Sequence, residues 1–427
     1  MPAGAGLPRA VANGLGAAGT ERAACDRVHP GSRPMKLLFL GDWCLPERSA
    51  APRLEHDALA GAIDQADAVV INYEGPQASP DAAPIAKVGP HLAQSSHGPE
   101  AIAALGVTHA SLANNHALDG GRTGLSATVS ALEGQRVAPF GFEGMPWGER
   151  RVTRLGEPNA GGVSMVAGAE REFTADGDVR AASLDPISLH RSIQGERDAG
   201  YTVIAVLHGG IEYEHLPPPH LQRLARWLID CGAATVITHH PHVPGFVEHW
   251  QGRPIAWSLG DLWMPRSGPL PSPWRGRGYG VLVDVDSPGQ AQVEAVMPYA
   301  LDYSSGALRG LNTEEAEAFD AMQARNRGIA EDPESYRQWW ASLVGRRANT
   351  YQRKYSLAPL PQWLWRRWLG LGWLLRRRLA RKPNWALRQL NGLRCETHHE
   401  VWKESLKKAL FPDQREPKAR TMRLFDE

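Results

Sequence analysis

The sequence predicts a layered α/β fold, and three observations support this prediction. Short runs of Ala, Val, Ile and Leu recur between residues 35 and 300 without polar alternation, which is typical of strands covered on both faces. Amphipathic segments with helical periodicity separate several of these runs. Five of the runs end in residues that are able to bind a metal ion. Because ligand sites in α/β folds gather at the carboxyl ends of strands, we expect a metal site at one edge of a sheet.

The five runs are predicted strands, and each one ends in polar side chains. In chain order they are Leu37–Leu40 before Asp42, Ala68–Ile71 before Glu74, Ala110–Ala113 before Asn115, His116 and Asp119, Val203–Leu207 before His208, and Val236–Ile237 before His239, His240 and His242. Taken singly, Asp42 is also consistent with a turn, Asn115 with a helix cap and His208 with a buried core histidine. Their joint placement at strand ends favours the metal site.

Further segments complete the predicted fold. Val163–Gly168, Val281–Val285 and Val293–Pro298 are predicted strands. The predicted helices are Glu55–Gln65, Pro99–Leu105, Thr123–Glu133 and His220–Cys231, followed after residue 300 by Thr313–Arg325 and Pro333–Val344. Leu221, Leu224 and Leu228 share one face of the fourth helix, so we expect it to cover a sheet. The loop Glu170–Asp178 either lines the cleft or is a surface excursion.

The histidines that end the fifth strand are open to two interpretations. His240 and His242 would share one face of an extended strand, but Pro241 cannot donate a ladder hydrogen bond, so we expect the chain to leave the sheet here. This arrangement suits a metal site at a strand end. The alternative is a surface loop without a function, which is also what we expect of His215 and His220.

The net charge of +1 conceals a strong asymmetry. Residues 346–427 contain 20 Lys and Arg against 7 Asp and Glu, an excess of 13 positive charges, so the preceding residues carry −12. Within this tail, the tryptophan-rich segment 361–382 places apolar side chains on one helical face and arginines on the other. Such a helix favours an anionic membrane surface, and the main alternative is packing on the domain. Nucleic acid is a less favoured partner because no recognised binding module accompanies the arginines.

The chain ends and the cysteines indicate the class of protein. No run approaches the roughly 18 apolar residues of a membrane-spanning helix, and residues 1–34 lack the apolar stretch of a signal peptide. We therefore expect a cytoplasmic protein, peripheral on the inner membrane face through its tail. The expected division is a disordered or mis-assigned leader over 1–34, a domain over 35–300, and a basic helical extension over 301–427. The four cysteines are far apart and indicate neither a disulfide framework nor a zinc ribbon.

Six short motifs follow one another along the predicted domain. They are Gly41-Asp42, Asn72-Tyr-Glu-Gly-Pro76, Ala113-Asn-Asn-His-Ala-Leu-Asp119, His208-Gly-Gly-Ile-Glu-Tyr213, His239-His-Pro-His-Val243 and Trp257-Ser-Leu-Gly-Asp261. In type and order they resemble the CapA family of capsule and poly-γ-glutamate synthesis proteins, which belongs to the calcineurin-like metallophosphoesterases. The resemblance covers roughly residues 35 to 300. It implies a four-layer fold in which a β-sandwich, covered by helices on its outer faces, holds a metal pair at the strand ends.

The resemblance also implies roles for individual residues. The first ion would be bound by Asp42 and His242, the second by Asn115, His208 and His240, and both by Glu74. His116 would act as general acid or electrostatic partner of the phosphate, with Asp119 orienting it. Carboxylate, amide and imidazole ligands suit two divalent ions of manganese, iron or zinc. Such a pair lowers the pKa of a bridging water and neutralises the transition state of a phosphoester.

Three positions depart from the expected pattern. Cys44 stands where the wider superfamily has a histidine in its Asp-x-His motif, a histidine that the CapA branch also lacks. Glu74 replaces a bridging aspartate, and Asp261 stands where the family usually has asparagine. We expect Cys44 to be a buried thiol rather than a ligand, so the first ion has fewer protein ligands.

The function implied by the resemblance is a metal-dependent hydrolase that serves the synthesis or processing of a capsule or other cell-surface polymer. The expected substrate is an anionic polymer or a phosphoester. The rival interpretation is a non-catalytic or regulatory protein that binds an anionic polymer or lipid carrier in the same cleft. The six candidate ligands favour the hydrolase, because a binding protein does not need a complete ligand set.

Overall fold

The computed structural model describes residues 34–47, 49–264, 272–355 and 383–410. The strands are β1 (Met35–Trp43), β2 (Arg53–Glu55), β3 (Ala68–Tyr73), β4 (His109–Ser111), β5 (Ala138–Phe140), β6 (Phe142–Gly144), β7 (Gly148–Arg150), β8 (Val152–Leu155), β9 (Val163–Ala169), β10 (Ala175–Asp176), β11 (Val179–Ala181), β12 (Thr202–His208), β13 (Thr235–His239), β14 (Val247–Trp250), β15 (Arg253–Ala256), β16 (Asp261–Trp263), β17 (Arg277–Ser287), β18 (Gln290–Asp302) and β19 (Ala307–Gly310). The helices are α1 (Asp57–Gln65), α2 (Gly98–Ala104), α3 (Gly121–Gly134), α4 (Pro186–Asp198), α5 (Pro219–Asp230), α6 (Thr313–Glu331), α7 (Pro333–Tyr355), α8 (Pro383–Arg394) and α9 (Glu396–Leu410).

Two large sheets dominate the architecture. The nine-stranded sheet has the order β2-β19-β18-β17-β1-β3-β4-β5, with β16 also paired to β1, and the six-stranded sheet has the order β14-β15-β13-β12-β9-β8. A small four-stranded sheet has the order β10-β11-β6-β7. Strands β1, β3, β4 and β5 are mutually parallel, as are β9, β12, β13 and β15. Parallel strands bring their carboxyl ends to the same edge of each sheet.

The sheets and helices form four layers. The inner faces of the two large sheets share one apolar core, whose members include Phe39, Val70, Val281, Met165, Val206 and Ile237. Helices α1, α2 and α3 cover the outer face of the nine-stranded sheet through Leu59, Ile102 and Val129. Helices α4 and α5 cover the outer face of the six-stranded sheet through Leu189 and Leu228. The four-layer α/β fold is therefore confirmed.

Strand β1 shows why the apolar runs lack polar alternation. Leu37 and Phe39 point into the core between the sheets, whereas Leu38 and Leu40 point into the core beneath the helices. Side chains on both faces are therefore removed from water, and each contributes about 1.5–3 kcal/mol by burial. The inference of doubly covered strands from continuous apolar runs is confirmed.

Several predicted boundaries move by a few residues. Strand β4 ends at Ser111, so Ala113, which we predicted to lie in the strand, belongs to the loop that carries Asn115. Helix α3 begins at Gly121 rather than at Thr123. These shifts arise because caps and tertiary contacts, rather than the apolar pattern, decide where an element ends.

The chain beyond residue 300 continues the fold before it becomes helical. Strand β18 ends at Asp302, and β19 pairs with β18 and β2 in the large sheet. Helix α6 begins at the predicted Thr313 behind an Asn312 cap, and Glu315 completes a capping box. Helix α7 extends to Tyr355, well past the predicted Val344, because apolar contacts with α9 hold its second half.

The predicted membrane-binding segment 361–382 lies outside the described residues, as do residues 1–33. Within the described ranges, none of the helices combines the length and the apolar character that crossing a membrane requires.

Candidate metal centre

The carboxyl ends of the central strands bring the six predicted ligands to one edge of the sandwich. Asp42 lies near the end of β1, Glu74 directly follows β3, and His208 ends β12. All six are buried, and they form two clusters: Asp42, Glu74 and His242, and Asn115, His208 and His240.

The first cluster consists of two carboxylates around one imidazole. His242 Nδ1 lies 3.3 Å from Asp42 Oδ2, and its Nε2 lies 3.7 Å from Glu74 Oε1. One donor atom from each of the three residues lies within 4.8 Å of the other two. Asn72 Nδ2 donates to Asp42 Oδ1 at 2.8 Å and so orients the carboxylate.

The second cluster consists of two imidazoles and an amide oxygen. His208 Nε2 lies 3.0 Å from Asn115 Oδ1 and 3.1 Å from His240 Nδ1. The backbone N–H of His240 donates to Asp42 Oδ2 at 3.3 Å, which joins this cluster to the first. Burial and the neighbouring His240 lower the pKa of His208 well below its ordinary value, so its imidazole is neutral and free to act as a ligand.

The backbone turns sharply where the predicted histidines lie. Strand β13 ends at His239, and both His240 (φ 103°) and His242 (φ 58°) have positive φ values. A non-glycine residue in such a conformation costs about 1–3 kcal/mol, so the surrounding contacts must hold it. All three histidines are buried, and the surface-loop interpretation is therefore wrong.

Glycine is required at two motif positions because other parts of the chain lie too close to them for a Cβ atom. A Cβ atom at Gly41 would lie 2.1 Å from the carbonyl oxygen of Gly260, where the end of β1 meets the strand that carries Asp261. A Cβ atom at Gly209 would lie 2.7 Å from Glu170 Oε1. Both distances are far below van der Waals contact, so only glycine allows Asp42 and His208 to take their places in the site.

Asp261 and Arg275 adjoin the first cluster. Asp261 Oδ1 lies 2.9 Å from His242 Nδ1, closer than Asp42 does. Arg275 Nε lies 2.7 Å from Asp261 Oδ2 and compensates this additional carboxylate. Asp261, which stands where the family usually has asparagine, therefore adds a third carboxyl side chain next to His242. The sequence contains no motif that points to Arg275, which lies in a loop before β17.

The first cluster distributes its protons unequally. Burial opposes a charged imidazole, but the surrounding carboxylates of Glu74, Asp261 and Asp42 raise the pKa of His242 well above its ordinary value. Burial likewise opposes ionisation of Asp42, yet the hydrogen bond and charge of His242 lower its pKa. Burial, with the negative charge of Asp42, raises the pKa of Glu74 to about 8. The cluster therefore favours a protonated His242 beside an ionised Asp42, while burial opposes the ionisation of Glu74.

The donors fit a divalent metal ion. Glu74 Oε1 is buried and accepts no hydrogen bond within the described part of the chain, although an unpaired buried carboxyl oxygen is costly. Carboxylate, amide and imidazole donors without a thiolate are the ligand types of manganese, iron and zinc sites. Cys44 is buried, and burial raises the pKa of its thiol, so the expectation that it is a buried thiol is consistent with the structure.

His116 lies beside the first cluster with its outer nitrogen facing Glu74. His116 Nε2 lies 3.8 Å from Glu74 Oε1, and its Nδ1 lies 2.6 Å from Asp119 Oδ2. Lys87 donates to Asp119 Oδ1. Burial lowers the pKa of His116, whereas the contacts with His116 and Lys87 overcome the effect of burial and lower the pKa of Asp119. Because a carboxylate only accepts hydrogen bonds, Nδ1 of the neutral His116 donates to Asp119, with Lys87 Nζ 3.1 Å from the same nitrogen, and Nε2 faces the site.

A cavity of about 320 Å³ opens onto both His116 and the second cluster. One wall comes from the α/β core and includes Lys87, Asn115, His116, Glu172, Phe173 and His240. The opposite wall comes from the C-terminal helices and includes Arg347, Tyr351, Arg388, Asn391 and His398. Glu172 and Phe173 of the loop Glu170–Asp178 therefore line the cleft, whereas Arg171, Ala175 and Asp178 of the same loop are exposed at the surface.

His239 and His220 lie outside both clusters and make structural contacts. His239 Nε2 lies 3.1 Å from the carbonyl oxygen of Leu40, in neither cluster. His220 lies outside the residues that line the cavity and bridges Glu170 and Glu400, at 3.1 and 2.7 Å. Sequence reasoning missed this bridge, since its acidic partners are 50 and 180 residues away.

Similar proteins were found by sequence and by structure. The capsule biosynthesis protein CapA of Bacillus anthracis is 28% identical over 185 residues, which cover 40% of this chain and 44% of that protein. The PGA biosynthesis protein CapA of Bacillus subtilis (strain 168) is 25% identical over 178 residues, which cover 40% of this chain and 46% of that protein. The chain thus spans less than half the length of these relatives.

Among solved structures, a 5'-nucleotidase from Candida albicans SC5314 matches with a TM-score of 0.39 and 8% identity, covering 70% of this chain and 59% of that one. A likeness of this size carries no conclusion about activity.

The family model described as bacterial capsule synthesis protein PGA_cap matches residues 36–265, which is more than half of the chain and includes all six motifs. The chain therefore belongs to the PGA_cap family of bacterial capsule synthesis proteins.

Proposed function

We propose that this protein is a metal-dependent hydrolase of the CapA type that serves the synthesis or processing of a capsule or other anionic cell-surface polymer. The observation that carries the proposal is the convergence of the two clusters, which are joined by a hydrogen bond from the His240 backbone to Asp42. Side chains able to bind a metal ion meet here from five separate strand ends, and such a concentration of buried polar groups in one place favours a catalytic site.

In this proposal the two clusters hold two divalent ions of manganese, iron or zinc. Asp42 and His242 hold one ion, and Asn115, His208 and His240 hold the other. The contacts of Glu74 are with the first cluster, and its role as a bridge to the second ion is part of the proposal. When bound, the ions neutralise negative charge on a phosphoester-like group and lower the pKa of a water.

The chain's own residues then position the substrate and move a proton. His116 Nε2 faces Glu74, and the Asp119 carboxylate holds the opposite nitrogen. An anionic group bound beside His116 raises the pKa of the imidazole, because an opposite charge favours the protonated form. The protonated Nε2 is then able to donate to the leaving oxygen, which is the role of general acid.

The cavity walls support an anionic substrate. Lys87 and Arg347 line the cavity but are paired with Asp119 and Glu214. Arg388 lines the same cavity and has no ion pair or hydrogen bond with any residue in the described ranges. A guanidinium that is exposed and has no partner among the described residues is able to bind a carboxylate or phosphate through two parallel hydrogen bonds. The proposed substrate is therefore a polymer or ester that carries further negative charges near the reacting group.

The test is hydrolysis of bis(p-nitrophenyl) phosphate by the purified full chain with Mn²⁺, before and after His240→Ala. We expect turnover to fall by at least about 100-fold in this variant, since loss of one ligand disrupts the charge-stabilising centre. His249→Ala is the matched control, because His249 is exposed on β14 and lines neither cluster. Turnover that does not respond to His240→Ala would refute the assignment.

The same experiment separates the hydrolase from a non-catalytic protein. Metal content is measured by mass spectrometry on the wild-type protein and on His240→Ala. If the protein takes up two equivalents of Mn²⁺ but hydrolyses neither the diester nor a synthetic anionic polymer, the result would favour the binding protein. No metal uptake at all would contradict both the metal site and the hydrolase.

A further inference from the structure

Helices α8 and α9 lie far beyond the family-matched residues 36–265, yet they line the cavity and contact Glu172, which accepts a hydrogen bond from the candidate ligand Asn115. We propose that these helices are a working part of the centre, because they hold Glu172 in the position from which it orients the amide of Asn115. Glu172 is thus a positioning residue, and the inference rests on the proposed metal-dependent function. No family motif of the sequence includes Glu172, Asn391 or His398.

Glu172 links the second cluster to the helices. On the core side, Asn115 Nδ2 donates to Glu172 Oε2 at 3.3 Å. On the other side, Asn391 Nδ2 donates to Glu172 Oε1 at 2.7 Å, and His398 Nε2 lies 3.0 Å from the same oxygen. Tyr351 in α7 lies 2.8 Å from the other ring nitrogen of His398. A continuous chain of hydrogen bonds therefore runs from the C-terminal helices to Asn115.

The direction of the Asn115 amide decides whether it serves as a ligand. A carboxylate oxygen accepts hydrogen bonds only, so Glu172 requires the NH₂ group of Asn115 on its side. The amide oxygen must then face His208 Nε2, from which it lies 3.0 Å. In the opposite orientation the NH₂ group would face the metal position, and an amide nitrogen with two protons does not bind a cation. Groups that orient ligands in this way typically change metal affinity about 10–100-fold.

Glu170 anchors α9 next to Glu172 and keeps the arrangement in place. This buried carboxylate accepts hydrogen bonds from the backbone N–H and the hydroxyl of Thr397, at 3.3 and 2.7 Å, and from the thiol of Cys395 at 3.3 Å. On the core side it accepts from the backbone N–H of Gly210 at 3.0 Å. The C-terminal helices are therefore joined to the segment that follows His208 by a buried polar network, and such networks specify one arrangement when their members are paired.

Glu172, Cys395 and His398 also have the spacing of a further metal site, but their hydrogen bonds favour the positioning role. The Cys395 thiol donates to Glu170, which requires that it keep its proton. Both oxygens of Glu172 already accept hydrogen bonds from neutral donors. A metal ion would have to displace these donors from a buried carboxylate.

The test is a titration of the metal-free full chain with Mn²⁺, followed by the electron paramagnetic resonance signal of the free ion. For Glu172→Ala we expect the affinity of one of the two ions to fall about 10–100-fold while the other changes less than about threefold. The nearly unchanged affinity for the other ion also shows that the variant is folded. His398→Phe combined with Asn391→Ala removes the donors on the helices and should weaken the same ion at least about threefold.

A compensating pair of substitutions distinguishes orientation from a general structural effect. In Glu172→Gln the amide oxygen still suits Asn115, but the NH₂ group meets the donor Asn391. Adding Asn391→Asp supplies an acceptor for this NH₂ group. His398 Nε2 also accepts from the NH₂ group once the ring proton moves to Nδ1. We expect Glu172→Gln alone to weaken the second ion and the double variant to restore it to within about threefold of wild type.

The matched control is Lys403→Gln. Lys403 is exposed on α9 and lies outside the residues that line the cavity, so both Mn²⁺ affinities should stay within about twofold of wild type. Two affinities that are unchanged in Glu172→Ala would overturn the inference and leave the proposed function standing. A wild-type chain that binds no Mn²⁺ would overturn both. Equal weakening of both ions in Glu172→Ala, or a similar loss of affinity in Lys403→Gln, would show a general loosening and refute the positioning role.

Discussion

His242 is the residue on which most of the site's charge converges. Asp42 and Asp261 lie 3.3 and 2.9 Å from its Nδ1, and Glu74 lies 3.7 Å from its Nε2. A cation that replaces the proton on this ring is attracted by the same carboxylates. In the proposed metal centre, a proton and a metal ion therefore compete for the same ring nitrogen, and we expect metal affinity to depend on pH.

We expect Mn²⁺ affinity to increase between pH 6.5 and 8. Burial raises the pKa of Glu74 to about 8, so below that pH the carboxyl must lose a proton before it can bind a cation. The affinity should rise by about tenfold per pH unit for each displaced proton. Isothermal titration at pH 6.5, 7 and 8 measures the slope, and Glu74→Gln should lower it. A slope of zero in the wild-type protein would contradict the protonated state of Glu74.

His239 and His240 are neighbours with different expected roles. His239→Ala should retain metal, because its imidazole lies against the Leu40 carbonyl in neither cluster, whereas His240→Ala should lose one ion. His239→Ala should nevertheless lower the free energy of unfolding by about 1–3 kcal/mol, since a buried acceptor loses its partner. Metal content and denaturant unfolding measure the two effects. Loss of metal from His239→Ala at unchanged stability would reverse the assignment.

At the scale of elements, the start of α5 and the helix α9 are joined by His220 between two carboxylates. Burial would lower the pKa of this imidazole, but the hydrogen bonds to Glu170 and Glu400 raise it to about 9. Because the pKa of His220 is higher in the folded than in the unfolded protein, folding stabilises the protonated imidazole. Its contribution to stability is complete below its ordinary pKa of 6.5 and decreases as the pH rises towards 9.

We therefore expect α9 to loosen between pH 6.5 and 9. Hydrogen exchange of the amides in α9, corrected for the intrinsic effect of pH, should show decreasing protection across this range. His220→Gln should remove most of this dependence because its side chain does not titrate. Protection that is independent of pH in the wild-type protein would contradict the charged bridge.

At the scale of the whole molecule, the basic tail remains a sequence-based prediction, because segment 361–382 lies outside the described residues. Truncation is an unsuitable test, since it would also remove α8 and α9, which line the cavity. Replacing arginines within the segment leaves these helices in the chain. The remaining question is whether the positive charge binds an anionic membrane.

Changing Arg366, Arg367, Arg377 and Arg378 to Gln should reduce flotation with phosphatidylglycerol vesicles at least about tenfold, because each basic residue near an anionic surface contributes about 1 kcal/mol. Phosphatidylcholine vesicles are the control and should recover little of either protein. Equal recovery of wild type and variant with the anionic vesicles would end the membrane hypothesis.

The elements and the chemical types of the candidate ligands were predictable from the sequence. The apolar run before Asp42 predicts a strand because both faces of that strand are buried, and burial depends on the side chains of the run itself. The ends of elements were less predictable: Ala113 lies outside β4, and α7 is longer than expected because α9 packs against it.

The sequence by itself therefore determined the layered fold class and the set of imidazole, amide and carboxylate side chains at the strand ends, since each follows from local pattern. Only the tertiary structure decided which of these side chains meet and what holds them. Glu172 and Asn391 are 219 residues apart, and Lys87 and Asp119 are 32 apart. No local pattern encodes such contacts, because they depend on how the sheets and the C-terminal helices pack. The orientation of Asn115, and with it the proposed second metal position, is a property of the assembled fold.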